Sequence, residues 1–242
     1  MIRRLLEYGE KFLSHVIPND QRNKMSGLEY WERRVREYGR LSVLNTDHSE
    51  DEFDNVTLWQ KSILLPLLES RLNGYERVVL DYGCGTGRFT RDLAKLIQGR
   101  AIGVDPIAAL IDMAPRTDNV EYLLLEKGVI PLSESSVDVV WICLVLGCIT
   151  SEKELSLTIK EINRILREDG LLFIIENTTD RPDLPYYIYR PVEQYQGLFT
   201  FSRLEYLTDY YDLGERISVM SGRKLTLKKE LLSPRKNLII KG

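Results

Sequence analysis

Val78-Val79-Leu80-Asp81-Tyr82-Gly83-Cys84-Gly85-Thr86-Gly87-Arg88-Phe89-Thr90 is the stretch whose reading decides the fold. An apolar run ends at an acid, three glycines alternate with other residues, and a helical pattern follows. A chain that leaves a buried parallel strand and turns sharply into a helix reads this way. Glycine suits the turn because it accepts positive φ and carries no Cβ to hold a ligand off the backbone. The spacing is G-x-G-x-G, whereas the turn that sets a pyrophosphate on a helix N-terminus is G-x-G-x-x-G.

Downstream of this turn the pattern alternates. A helix is expected near 87–98, a strand over 101–105, a helix from Pro106 to about Ala114, and strands over 120–125 and 137–143. A helix over 152–167 with Gly170 as its cap precedes a strand over 171–176. Strands alternating with helices predict an α/β, doubly wound, mostly parallel sheet. Residues 203–212 and 216–223 read as two strands joined at Leu213-Gly214, a final hairpin, and 236–241 as a further short strand or tail.

Upstream, residues 2–17 place apolar side chains at helical spacing until Pro18-Asn19-Asp20 breaks the pattern. A polar helix over 28–38, an acidic loop over 45–55 and a helix over 56–72 ending near Asn73-Gly74 complete the first third. The division expected is a helical N-terminal extension or lid over 1–75 and a Rossmann-like domain over 76–242.

A chain of 242 residues can bury one good core. Its formal net charge of −3 lacks the basic surplus of a nucleic-acid binder. Three cysteines and two histidines, with no C-x-x-C, give no metal site and suit a reducing compartment, the cytoplasm. No apolar run is long enough to span a bilayer.

The strand Ala101-Ile102-Gly103-Val104-Asp105 ends in an acid 18 residues beyond Gly87. A carboxylate there can accept both hydroxyls of an adenosine ribose, and it disfavours a 2′-phosphate, the other reading being an Asp that caps the next helix. With this strand and the glycine turn, the chain resembles the class I, Rossmann-like S-adenosylmethionine (SAM)-dependent methyltransferases of the small-molecule type. Ile130-Pro131-Leu132 resembles the family's Leu-Pro-Phe turn, Val137-Asp138-Val139-Val140 its Phe-Asp-x-Val strand, and Glu161 to Gly170 its helix and turn before the fifth strand. The resemblance covers about 76–223 and implies a seven-stranded sheet with an antiparallel last strand.

It also implies SAM as cofactor and S-adenosyl-L-homocysteine as product. Gly83, Cys84, Gly85 and Gly87 would line the methionine and ribose portion through backbone groups, and Asp105 would hold the ribose with Pro106 or Ile107 beside the adenine. Glu126 and Lys127 fall near the adenine amine, Cys143 near the methionine ammonium, and Asp81 where the family organises the turn or reaches the ammonium through water. Cys84 reads as a packing residue. Tyr30 and Trp31, on the helix over 28–38, would close over the cofactor.

The acceptor is less legible, because a superfamily whose cofactor carries its own activation needs no single catalytic residue. No Asp/Asn-Pro-Pro-aromatic signature follows the fourth strand, which turns the reading away from nucleic acid. His48, in the acidic loop, is a candidate base or an ordinary loop histidine. Glu176 ends the fifth strand, where side chains can face an acceptor. Tyr186-Tyr187-Ile188-Tyr189-Arg190 could form an aromatic wall with an anion clamp, which makes Tyr187 and Arg190 candidates too; a lid or dimer contact is the other reading. The expected function is methyl transfer to O or N of a small polar acceptor, a sugar or glycan end or a phosphate- or carboxylate-bearing metabolite, by a monomer or homodimer. A nicotinamide-dependent oxidoreductase and a non-catalytic SAM-binding or partner-binding module stay open as alternatives.

Overall fold

The computed structural model describes residues 27–45 and 47–226. The helix expected over 2–17, His15 and the segment 236–241 lie outside the described residues.

Seven strands form a single sheet: β1 (Val78–Tyr82), β2 (Arg100–Asp105), β3 (Val120–Leu124), β4 (Val137–Cys143), β5 (Leu166–Asn177), β6 (Glu205–Asp212) and β7 (Glu215–Arg223). Their order is β3-β2-β1-β4-β5-β7-β6. The pairs from β3 through β5 are parallel, while β7 runs antiparallel to both β5 and β6. Strand order reverses between β1 and β4, and in open α/β sheets ligands bind beyond the carboxyl ends of the strands at such a reversal.

The central strands are apolar on both faces because helices cover both. On one face Leu80, Ile102, Val140, Ile142 and Leu172 pack against Leu155 and Ile162 of a helix α5 (Glu152–Ile165). On the other, Val79, Val139, Trp141 and Phe173 meet α2 (Phe53–Glu69) and α3 (Thr90–Leu96). Trp141 stacks on Phe173 with ring centroids 5.2 Å apart. The helix α1 (Gly27–Tyr38) packs Val35 on Ile107 and Leu110, the latter in α4 (Ala108–Asp112).

Several boundaries differ from expectation. The helix α2 starts at Phe53, inside the expected acidic loop, and its Leu64 and Leu68 are wholly buried in the sheet's core. The expected division at 75/76 therefore falls between two parts of one core. The helix after the glycine turn is shorter than 87–98, because the turn continues to Phe89. Gly170 does not cap a helix: α5 ends at Ile165, and Leu166 already pairs with Val137. The strand then bulges through Asp169 at φ 60° before Leu171 pairs with Val139. A Cβ on Gly170 would meet Leu166 Cδ1 at 2.6 Å, so the glycine serves the bulge. A short helix α6 (Val192–Leu198), unanticipated, buries Tyr195 and completes the cover of β5. The β6–β7 hairpin turns at Leu213-Gly214, both at positive φ as a two-residue turn prefers. Among the described residues, no helix is long and apolar enough to cross a membrane.

Candidate active site

The glycine turn lies against β2. Gly83 N and Cys84 N both donate to Val104 O, at 2.8 and 3.1 Å, and Gly87 N donates to Cys84 O at 2.9 Å. Gly83 sits at φ 71° and Gly85 at φ 55°. A Cβ on Gly83 would overlap the Val145 side chain after β4, and one on Gly85 would meet Val43 Cγ1 at 2.8 Å. The turn can approach its neighbours this closely only with glycine.

Two buried carboxylates flank the turn. Asp105 Oδ2 accepts Gly85 N at 2.9 Å and Oδ1 accepts Ile107 N at 2.9 Å. Burial pushes its carboxyl up to about 6, against the pull of those two amides. Asp81 Oδ2 accepts the Thr90 hydroxyl at 2.6 Å. Burial drives Asp81 further, to about 7, with the charge of Asp105 adding to the effect. Asp105 thus has an amide on each oxygen, while Asp81 has a donor on Oδ2 alone among the described residues.

A cavity of about 1290 Å³ opens beyond the carboxyl ends of the strands. Its floor is the glycine turn with Asp81, Asp105 and Cys143. Its roof is α1 and the segment after β5, joined where Tyr30 stacks on Tyr186 at 3.6 Å with ring planes 6° apart. Arg34 of α1 holds the following turn by donating to Ser42 O at 2.9 Å and Leu44 O at 2.5 Å. Arg88, the residue after the third glycine, reaches Thr57 Oγ1 at 3.0 Å, Gln60 Oε1 and Val43 O. It thereby ties α2 and the 39–44 region to the glycine turn, with its pKa lowered by burial.

Residues 80–174 match the methyltransferase domain family. Residues 80–174 thus carry a methyltransferase domain, and the sheet around them has the fold of SAM-dependent methyltransferases. A Dictyostelium discoideum protein named as a methyltransferase is 30% identical over 132 residues, 52% of this chain and 48% of the relative. The chain spans about half the length, or less, of the curated relatives it matches. In structure, the YcgJ protein of Bacillus superposes with a TM-score of 0.57 at 14% identity, over 67% of this chain and 98% of that one. A Haemonchus contortus phosphoethanolamine N-methyltransferase, solved with phosphoethanolamine and S-adenosylhomocysteine, gives a TM-score of 0.61 at 16% identity, over 87% of this chain and 51% of that one. At such identities the likeness shows the fold.

The cavity gathers most of the residues singled out in the sequence, but not all. Tyr30, Trp31, Asp81, Gly83, Cys84 and Gly85 line it, as do Asp105, Pro106, Lys127, Cys143 and Tyr187. Gly87 does not; its missing Cβ makes room for the Tyr122 ring. Glu126 is exposed and outside, while its neighbour Leu125 takes the inward place. Burial raises the Cys84 and Cys143 thiols, Cys143 to about 12, so neither is a thiolate.

Two acceptor-side candidates are structural. Glu176 is wholly buried and accepts the amides of Val145 (2.9 Å), Leu146 (2.7 Å) and Gly147 (3.4 Å). Burial brings its carboxyl to about 7 despite them. Arg190 turns inward too, donating to Leu146 O at 3.0 Å and Ile149 O at 3.3 Å. The pair fixes the turn after β4, and the expected anion clamp is already engaged. His48 is no ordinary exposed loop residue: it is buried, with Nε2 2.7 Å from Asp212 Oδ1 at the end of β6. The sequence reading missed Asp212 and Arg88. Arg88 adjoins the glycine turn and could have been suspected; Asp212 offered no local signal. Among the described residues, no cluster of ligating side chains could hold a metal ion.

Proposed function

We propose that this protein transfers a methyl group from SAM to a heteroatom of a small polar acceptor. The observation that carries the reading is one cavity joining the glycine turn and its two carboxylates to a second, tyrosine-rich wall. At about 1290 Å³ it exceeds the roughly 300–1,000 Å³ of ordinary ligand clefts, leaving space for a cofactor and an acceptor together.

The residues present fit SAM. Gly83 and Gly85 line the cavity with backbone at positive φ, and Asp105 keeps acceptor capacity for ribose hydroxyls beyond its two amides. Asp81 offers a buried carboxylate to an ammonium. Trp31 Nε1, buried without a partner in a residue that lines the cavity, can donate to a ligand. When bound, SAM supplies an activated methyl on a sulfonium leaving group. What remains for the chain is to align the acceptor and exclude water. Tyr30 and Tyr186, closing the roof, serve exclusion; Tyr187 and Tyr189 flank the acceptor.

With Arg190 engaged elsewhere, the wall suits a hydroxylated or ring-shaped acceptor, such as a sugar, better than one gripped by its anion. The work of the helical segment ahead of the sheet is then that of a lid.

Thermal unfolding tests the cofactor. S-adenosylhomocysteine at a hundredfold excess over Kd should stabilise by about 2.7 kcal/mol, a rise of roughly 5–10 °C in Tm for a chain this size. Stabilisation by NAD instead would return the reading to an oxidoreductase.

A further inference from the structure

The β6–β7 hairpin turns at the carboxyl end of the sheet, so Asp212 and Glu215 line the same cavity as the cofactor carboxylates. The two acids differ in how they are satisfied. Glu215 has partners for both oxygens, Asn177 Nδ2 at 2.8 Å and Arg181 Nη1 at 2.6 Å. Asp212 is more buried, and only its Oδ1 has a hydrogen-bond partner, His48 Nε2 at 2.7 Å. Its Oδ2 has none among the described residues. The open oxygen belongs to a residue that lines the cavity, so Asp212 keeps acceptor capacity for a ligand there.

Asp212 and Cys143, the latter at the end of β4, line the same cavity. His48 comes from the turn between α1 and α2, 164 residues away in sequence, with Glu52 Oε2 at 3.9 Å from its other nitrogen. A latch for that turn would need only the contact to Oδ1.

We propose that Asp212 receives the hydroxyl proton of the methyl acceptor, that His48 is the residue positioning Asp212, and that the acceptor is therefore an alcohol or phenol. This rests on the methyltransferase reading above. The acceptor oxygen's lone pair forms the bond to the methyl carbon, and the carbon–sulfur pair stays on sulfur. The proton of the hydroxyl, made strongly acidic as the oxygen is alkylated, passes to Asp212 Oδ2 and leaves to water with the product. A carboxylate is basic enough for that late transfer. An amine fits poorly, because a buried carboxylate beside it would hold it as the non-nucleophilic ammonium. A phosphate or carboxylate as the reacting group would be repelled by Asp212, whereas Glu215 is already paired with Arg181.

The test uses the full chain with tritiated SAM and a panel of hydroxyl acceptors (catechol, a monosaccharide, a hydroxy acid) beside ethanolamine and phosphoethanolamine. Binding of S-adenosylhomocysteine is read separately by thermal shift. Asp212→Asn and His48→Ala should keep the thermal shift yet lose about 10²-fold or more in kcat on a hydroxyl acceptor, with KM little changed. His48→Gln, which still offers an N–H to Asp212, should stay within about tenfold of wild type, a rescue that loss of folding would not show. Transfer to amines alone, an Asp212→Asn enzyme as fast as wild type, or a wild type that binds S-adenosylhomocysteine and methylates none of the panel would each overturn the proposal. Absence of S-adenosylhomocysteine binding would instead remove the methyltransferase reading beneath it.

Discussion

At the end of β2, Asp105 accepts the amides of Gly85 and Ile107 and still has room, since a carboxylate offers about four acceptor positions. Asp105→Ala should therefore weaken S-adenosylhomocysteine binding by about 100-fold or more, the worth of two charge-assisted hydrogen bonds at roughly 1.5–3 kcal/mol each. Calorimetry checks it, and unchanged affinity would remove Asp105 from the site. The same carboxyl predicts a pH dependence. In the free protein burial holds Asp105 near 6 and Asp81 near 7, so both carry protons at pH 5. Ribose hydroxyls and an ammonium need the ionised forms, so binding releases protons and affinity should rise from pH 5 to pH 8. Titrations in buffers of different ionisation enthalpy would show that release; affinity that is flat or falls with pH would contradict it. Asp105 was legible in the sequence because it ends a strand at a fixed distance from the glycines. Asp212 was not, because its meaning comes from His48, 164 residues away.

Among the elements, the turn after β4 shows how a site is held by groups that never touch a ligand. Glu176, at the end of β5, satisfies three of its amides, and Arg190 two of its carbonyls. Glu176→Ala leaves those donors open at about 1–3 kcal/mol each. The midpoint of urea unfolding should fall accordingly, with the largest change in hydrogen exchange over 144–149. A midpoint within error of wild type would mean that water replaces the carboxylate. The apolar strands were readable because burial on both faces leaves an unbroken apolar run. The bulge at Gly170 and the helix α6 were not, because each answers a tertiary demand. Gly170 makes way for Leu166 and the Arg167 carbonyl, and α6 carries Tyr195 to the open side of β5.

For the molecule as a whole, the burial of three carboxylates ahead of any ligand sets how stability varies with pH. Asp81, Asp105 and Glu176 all have folded pKa values raised above their ordinary 3.8, 3.8 and 4.5, to about 7, 6 and 7. Between those limits the folded chain binds more protons than the unfolded one, so stability falls as pH rises. Their contribution is complete below about pH 4 and gone above about pH 7. Glu76 and Glu161 work in the opposite sense. Their pKa values are lowered, by an amide and the Arg223 guanidinium against the cost of burial for Glu76, and chiefly by Arg164 for Glu161. What they add is lost only on acidification below the ordinary carboxylate range, which leaves the window from pH 5 to 8 to the raised groups. A tenfold change in a group's proton affinity is worth about 1.4 kcal/mol, so unliganded protein should be more stable at pH 5.5 than at pH 8 by a few kcal/mol. Saturation with S-adenosylhomocysteine should flatten that slope, because the ligand adds donors to Asp81 and Asp105 that favour their ionised forms and leaves only Glu176 to titrate. Calorimetric melts across this range, with and without ligand, decide it: a free-protein Tm that climbs toward pH 8 would mean that these carboxylates are ionised and satisfied before any cofactor arrives.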